Sequence, residues 1–215
     1  MKKGIATKLL LWYNNFITKE YRRFNMPDNE VETRENTERE RRIDVNSIRT
    51  AADLLSYFRS PSSPIRLKAI CDHPEVNLKI IRVDFSSLEA DFNRKISGML
   101  FIDETRRYIM INKKDVPQRQ RFTIAHELAH FFLHHDKNSN QTIVSFRGLQ
   151  RPSEAKLENE ADQFAAELLM PEDLLRKEYE IISTPLLSQL AKKFDVSKTA
   201  MKYRLDILGL DCILI

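Results

Sequence analysis

Apolar positions in this chain fall into blocks whose spacing changes along its length. Ile5, Leu9, Trp12, Phe16 and Phe24 recur near helical spacing and predict an amphipathic helix over residues 5–24. From Pro27 to Arg42 the pattern stops, and Val31 is the lone aliphatic residue among Asp, Asn, Glu, Thr and Arg. Such a segment cannot bury enough surface to order itself and reads as a linker or a solvated charged helix. The globular body is expected to begin near Ile43. Ile48, Ala51, Ala52, Leu55 and Phe58 mark one side of a helix capped by Asp44 or Ser47 and running to about Phe58. Ser60-Pro61-Ser62-Ser63-Pro64 breaks it. Ile65 to Ile70 reads as a short helix and Leu78 to Val83 as a strand. Ile96 to Ile102 and Arg107 to Ile111 read as two more strands about a turn at Asp103-Glu104-Thr105. A longer helix follows, with Asp115 as candidate N-cap and Pro117 in its first turn. Asp136 to Pro152 reads as a polar loop, and from Ser153 the pattern is helical again.

That longer helix holds the chemistry. It contains His126-Glu127-Leu128-Ala129-His130, the pattern H-E-x-x-H. Residues four apart return to nearly the same helix face, one turn on. Two neutral imidazoles placed so can both reach one Zn²⁺, at roughly 2.0–2.1 Å each. Glu127 points about 100° away, where it meets the water to be activated rather than the metal. The flanks Ile124, Ala125, Leu128, Ala129, Phe131, Phe132 and Leu133 are apolar, so the pair is expected on a buried helix.

An open, catalytic zinc site needs a third protein ligand. Asp136 lies ten residues after His126, but such a ligand needs a glycine midway to turn the chain back, and Leu133 stands there. His134 is one turn beyond His130, and a straight helix cannot wrap three successive turns around one ion. A better source is the helix from Leu157 to Pro171. At about 100° per residue its apolar arc runs through Leu157, Ala161, Phe164, Ala165, Leu168 and Leu169. Glu158 falls inside that arc, Asp162 one turn on, and Glu160 and Glu167 outside. A carboxylate on a core-facing stripe is costly unless it pairs or binds a cation. Glu158 is therefore the expected ligand, with Glu160 as the alternative. Asp162 is placed to accept the free N–H of a ligating histidine.

Composition narrows the classes. The 215 residues, 42% hydrophobic and 31% charged, describe a soluble globular protein. Only 4 glycines argue against a barrel. Cys71 and Cys212 are isolated, which fits a reducing cytoplasm rather than a disulfide framework. No apolar run approaches the roughly 18 residues of a membrane span. Lys2-Lys3 before Leu9-Leu10-Leu11-Trp12 is similar to a short signal peptide, but Lys8, Asn14 and Asn15 interrupt the apolar block. The net charge of +4 permits nucleic-acid contact without establishing it, because both signs are intermixed. Nothing in the pattern sets an oligomeric state.

The stretches Arg119 to His130 and Glu158 to Pro171 together resemble the ImmA/IrrE family of zinc metallopeptidases. Ser97-Gly98 and Tyr108-Ile109-Met110-Ile111-Asn112 are similar to the family's strands. The resemblance covers roughly Asp44 to Leu210. It implies an α+β fold: a small zincin-like metallopeptidase domain, a short mixed sheet plus active-site helices. It implies one Zn²⁺ held by His126, His130 and Glu158, with Glu127 as the catalytic acid/base. It also implies a protein substrate, a helix-turn-helix repressor or its antirepressor partner. The oxyanion helper is left among Tyr108, His134, His135 and Tyr179.

Leu187 to Leu210 reads as helix, tight turn, helix, with Ser197 capping the second helix and Gly209 ending it. The resulting organisation is 1–42, an N-terminal helix and linker; 43–182, the peptidase domain; and 183–215, a helix-turn-helix-like unit. Lys198, Lys202 and Arg204 could touch phosphates. The cluster is small and Asp206 interrupts it, which favours a hairpin packed on the core. The rival function is a DNA-binding or partner-binding regulator with a non-proteolytic zinc site. A structural zinc site usually uses cysteine, and none lies near this motif.

Overall fold

The computed structural model describes residues 43–58, 62–92, 95–102, 106–134, 143–147, 155–182 and 185–214. The expected helix at 5–24, the charged segment, the turn at 103–105, His135 and Asp136 lie outside them. Six elements precede the H-E-x-x-H helix, the first five being α1 (Ala51–Ser56), α2 (Leu67–Asp72), β1 (Lys79–Val83), α3 (Ser86–Phe92) and β2 (Gly98–Ile102). β3 (Arg107–Asn112) then leads into α4 (Pro117–Ala129), which carries the motif. After a π-helical turn at His130–His134 come β4 (Ile143–Arg147), α5 (Ala155–Leu169), α6 (Glu172–Ile181), α7 (Leu187–Phe194) and α8 (Lys198–Leu208).

The sheet is mixed, in the order β1-β3-β2-β4. β1 runs parallel to β3, while β2 is antiparallel to both β3 and β4. β2 is central, and all five of its residues are buried. A strand covered on both faces reads as an apolar run rather than an alternation, as Met99-Leu100-Phe101-Ile102 does. α4 crosses this sheet, and α5 packs along α4. The buried stripe of α5 is Glu158, Ala161, Phe164, Ala165, Leu168 and Leu169, at spacings of three and four. Leu157, expected on that arc, is exposed.

Several local expectations differ. Asp44 to Ser47 forms a separate turn, with Ser47 N–H donating to the Asp44 carbonyl. α1 begins later, capped by Thr50, whose hydroxyl accepts from the Asp53 N–H at 3.1 Å while Asp53 accepts from the Thr50 N–H at 2.8 Å. This reciprocal pair satisfies two orphan donors at once, which neither Asp44 nor Ser47 can do from its position. α4 is preceded by Val116 rather than capped by Asp115, and Pro117 stands at its first position. Asp115 instead turns inward and is buried. α3 and the edge strand β4 were not expected. β4 falls in the stretch read as a polar loop, and its pairing is decided by the exposed edge of β2.

α7 and α8 form the expected hairpin. Asp195 closes α7 in the left-handed region, Ser197 accepts from the Ala200 N–H at 3.1 Å, and Gly209 ends α8 at φ 64°. Leu187, Leu190, Phe194, Met201 and Leu205 of this hairpin belong to the same apolar core as the sheet and α4. Each such burial is worth about 1.5–3 kcal/mol relative to exposure, so the hairpin is held as part of the body. Arg204, one of the three side chains that could touch phosphates, is 7% exposed. Its Nε donates to the Met170 carbonyl at 3.2 Å. Lys202 is drawn into an ion pair with Asp206 one turn on. Two of the three basic side chains are thereby committed within the fold.

Candidate metal centre

Residues 125–132 are buried without a break, so the motif sits in the interior rather than on a helix surface. Gly98 allows this. A Cβ at that position would lie 2.3 Å from Thr123 Cγ2, 2.9 Å from the Met110 carbonyl oxygen and 3.7 Å from Glu127 Oε1. The strand and the helix approach too closely for any side chain there. Glu89 reinforces the same corner. Its carboxylate accepts from the Ile96 N–H at 3.0 Å and from Asn112 Nδ2 at 3.2 Å, tying α3 to the starts of β2 and the end of β3. Gly98→Ala is expected to destabilise the fold by about 1–3 kcal/mol, the usual cost of overpacking. Urea unfolding of the two chains measures it, and an unchanged midpoint would contradict the close approach.

Three side chains converge beside α4. His126 Nε2 lies 3.1 Å from His130 Nε2. Glu158 Oε2 is 3.2 Å from His126 Nε2, and Glu158 Oε1 is 3.3 Å from His130 Nε2. Among the described residues this is the one cluster of three or more such groups that could hold a metal ion. The second ring nitrogen of His126 sets its tautomer. Nδ1 lies 2.8 Å from Asp162 Oδ1 and donates its proton to that carboxylate. In the neutral ring Nε2 then carries a lone pair, aimed at His130 and Glu158. Burial pushes the Glu158 carboxyl up, but protons on the facing Nε2 atoms of His126 and His130, where no cation takes their place, outweigh it and hold the group well below the usual carboxylate range.

The donor set fits a small divalent cation. Two imidazole nitrogens and a carboxylate facing one another need shared protons or a positive ion between them. Tetrahedral zinc with ligands at roughly 2.0–2.2 Å sets neighbouring donors about 3.3–3.6 Å apart. The triangle of 3.1–3.3 Å is close to that spacing.

The other sequence candidates separate cleanly. Glu160 is half exposed and lies 3.7 Å from Lys156. Tyr179 donates to the Asp211 carbonyl at 2.6 Å, which ties it to the C-terminal segment. Tyr108 stacks on Phe101 in the sheet, and His134 ends the π-helical turn. The residues that sequence reading did not single out are Gly98 as a close-approach site, Thr123 and Glu89. The rarity of glycine in the chain was the one available signal, since a glycine opening a central strand calls for a steric reason.

The stretch 80–206 matches the peptidase family described as the IrrE N-terminal-like domain. The chain belongs to this ImmA/IrrE family. It is 31% identical over 113 residues to the metallopeptidase ImmA of Bacillus subtilis, a match covering 53% of this chain and 64% of that protein. It is 33% identical over 105 residues to the radiation response metalloprotease IrrE of Deinococcus radiodurans, covering 48% of this chain and 32% of that one. The chain thus spans less than two thirds of the length of either relative. The family match takes in α4, α5 and most of the α7–α8 hairpin, so the converging side chains lie wholly inside it. No helix among the described residues is long and apolar enough to cross a membrane.

Proposed function

We propose that this protein is a zinc-dependent endopeptidase that hydrolyses a peptide bond in a regulatory protein, a helix-turn-helix transcriptional repressor or its partner. The observation that carries the reading is the triangle of His126, His130 and Glu158, with Glu127 on the same buried helix between the two histidines. His126, His130 and Glu158 are the residues that would hold the ion. When bound, Zn²⁺ would polarise the scissile carbonyl and lower the pKa of a water toward about 7. Glu127 takes the proton of the attacking water and delivers it to the leaving amine. Asp162 orients His126 through Nδ1 and keeps its Nε2 lone pair pointed inward.

Three further observations support this over the rivals. Among the described residues the cluster has three donors and no cysteine, which supports a site with a position open for water over a closed structural one. Burial pushes the Cys71 thiol up to about 12, which removes it as a competing nucleophile. Arg204 is buried, which weakens the reading of α8 as a DNA-contacting helix. The two free cysteines are compatible with action in the cytoplasm.

The test is co-expression with helix-turn-helix repressors encoded beside this gene. A truncated repressor is expected with the wild-type chain and an intact one with Glu127→Gln. Equal cleavage by both chains would overturn the assignment of Glu127. Asp162→Asn is expected to weaken zinc binding by about 10–100-fold, the usual cost of losing an orienting carboxylate. Competition against a chelator of known affinity measures it, and an unchanged affinity removes Asp162 from the site.

A further inference from the structure

Thr123 is fully buried inside α4, and its hydroxyl has no hydrogen-bond partner among the described residues. Other buried orphan atoms nearby have an ion to face: Asp115 Oδ2 lies 3.9 Å from Arg119 Nε, and Arg121 Nε lies 3.8 Å from Asp195. Thr123 has none. A buried hydroxyl without a partner is costly, and a valine of the same shape would avoid the cost. A helical threonine ordinarily returns its hydroxyl to the carbonyl one turn back, and this one does not. Its position explains what it is kept for. Thr123 stands four residues before Glu127, so the two side chains share a helix face one turn apart. Both also reach the same point on β2, since Thr123 Cγ2 and Glu127 Oε1 lie 2.3 Å and 3.7 Å from where a Cβ of Gly98 would be.

We propose that Thr123 is a positioning residue for Glu127: its hydroxyl donates to the Glu127 carboxylate and sets that group's orientation when the site is occupied. The proposal rests on the metallopeptidase reading above. The hydroxyl turns about its own Cα–Cβ bond, where a helical threonine has two accessible rotamers. The observed one holds the methyl against Gly98, and a turn to the other would carry the oxygen toward the carboxylate under this proposal. Gly98 is therefore needed twice, for the approach of the helix and for the room in which Thr123 turns.

The probe is acetohydroxamate binding to the full-length, zinc-loaded chain, measured by calorimetry, because a hydroxamate on the ion would be strengthened by Glu127 and needs no identified substrate. Thr123→Val is expected to weaken binding about tenfold, the value of one hydrogen bond to a charged group. Thr123→Ser, which keeps the hydroxyl, is expected to restore it. In a Glu127→Gln background Thr123→Val should have no further effect, since coupled residues are non-additive. Metal-free Thr123→Val should melt at the same temperature as wild type or a few degrees higher, because an orphan hydroxyl has been removed. Wild-type binding by Thr123→Val, additive losses in the double variant, or a lowered melting temperature would each overturn the role. A wild-type chain that takes up zinc but not acetohydroxamate would overturn the open-site reading itself, and the role of Thr123 with it.

Discussion

Glu127→Gln is expected to keep its zinc and lose roughly 10²–10⁴-fold in kcat, the range for a positioned general acid–base. Shape and charge set this outcome. Glutamine fills the same buried space beside Gly98, so α4 keeps its approach to β2. His126, His130 and Glu158 are untouched, and their triangle does not include Glu127. What is lost is one group that can accept and return a proton. Metal analysis of the purified variant beside a cleavage assay separates the two effects. Retained activity with retained zinc would sink the acid/base role, while loss of zinc would mean that Glu127 supports the ligands instead.

Glu158→Ala is expected to release the metal. It removes one of three donors and leaves His126 and His130 facing each other at 3.1 Å with no anion between them. In the wild-type chain, zinc bound at about 100 times its Kd would stabilise the fold by about 2.7 kcal/mol. For a body of this size that is a rise in Tm of about 5–10 °C. The rise should vanish in Glu158→Ala and persist in Glu160→Ala, because Glu160 lies outside the triangle and beside Lys156. The reverse outcome would transfer the ligand role to Glu160.

The chemistry of the centre was more legible along the chain than the scaffold around it. His126 and His130 share a face because any helix brings residues four apart together, whatever surrounds it. Glu158 could be chosen because a carboxylate on an otherwise apolar stripe must face something positive, and the periodicity of α5 shows the stripe. The same reasoning placed Leu157 on that stripe, where it fails. Leu157 lies in the first turn of α5 and is exposed there. Asp44, Ser47 and Asp115 are all plausible caps by residue type. The choice of Thr50 followed from its reciprocal bond with Asp53, which a single-position preference does not contain. Arg204 shows the limit in charge. Its side chain reads as a surface cation, yet it lies inside because the Met170 carbonyl and Glu167 receive it there.

Sequence by itself determined the pair of histidines proposed to bind the metal, the glutamate between them, the distal carboxylate and the helical hairpin after them. Each follows from local periodicity or from the cost of burying a charge. Tertiary structure alone decided how near these groups stand. The closing of the triangle to 3.1–3.3 Å depends on α5 packing along α4. The depth of Glu127 and Thr123 depends on a glycine in β2, distant in sequence, that leaves no Cβ in the way. The edge strand β4 exists because β2 offers unpaired backbone groups, a condition set by the sheet and not by residues 143–147. Contacts between elements far apart in the chain carry no local signature, and the proximity that would let the His-Glu-His helix act on a metal is made of them.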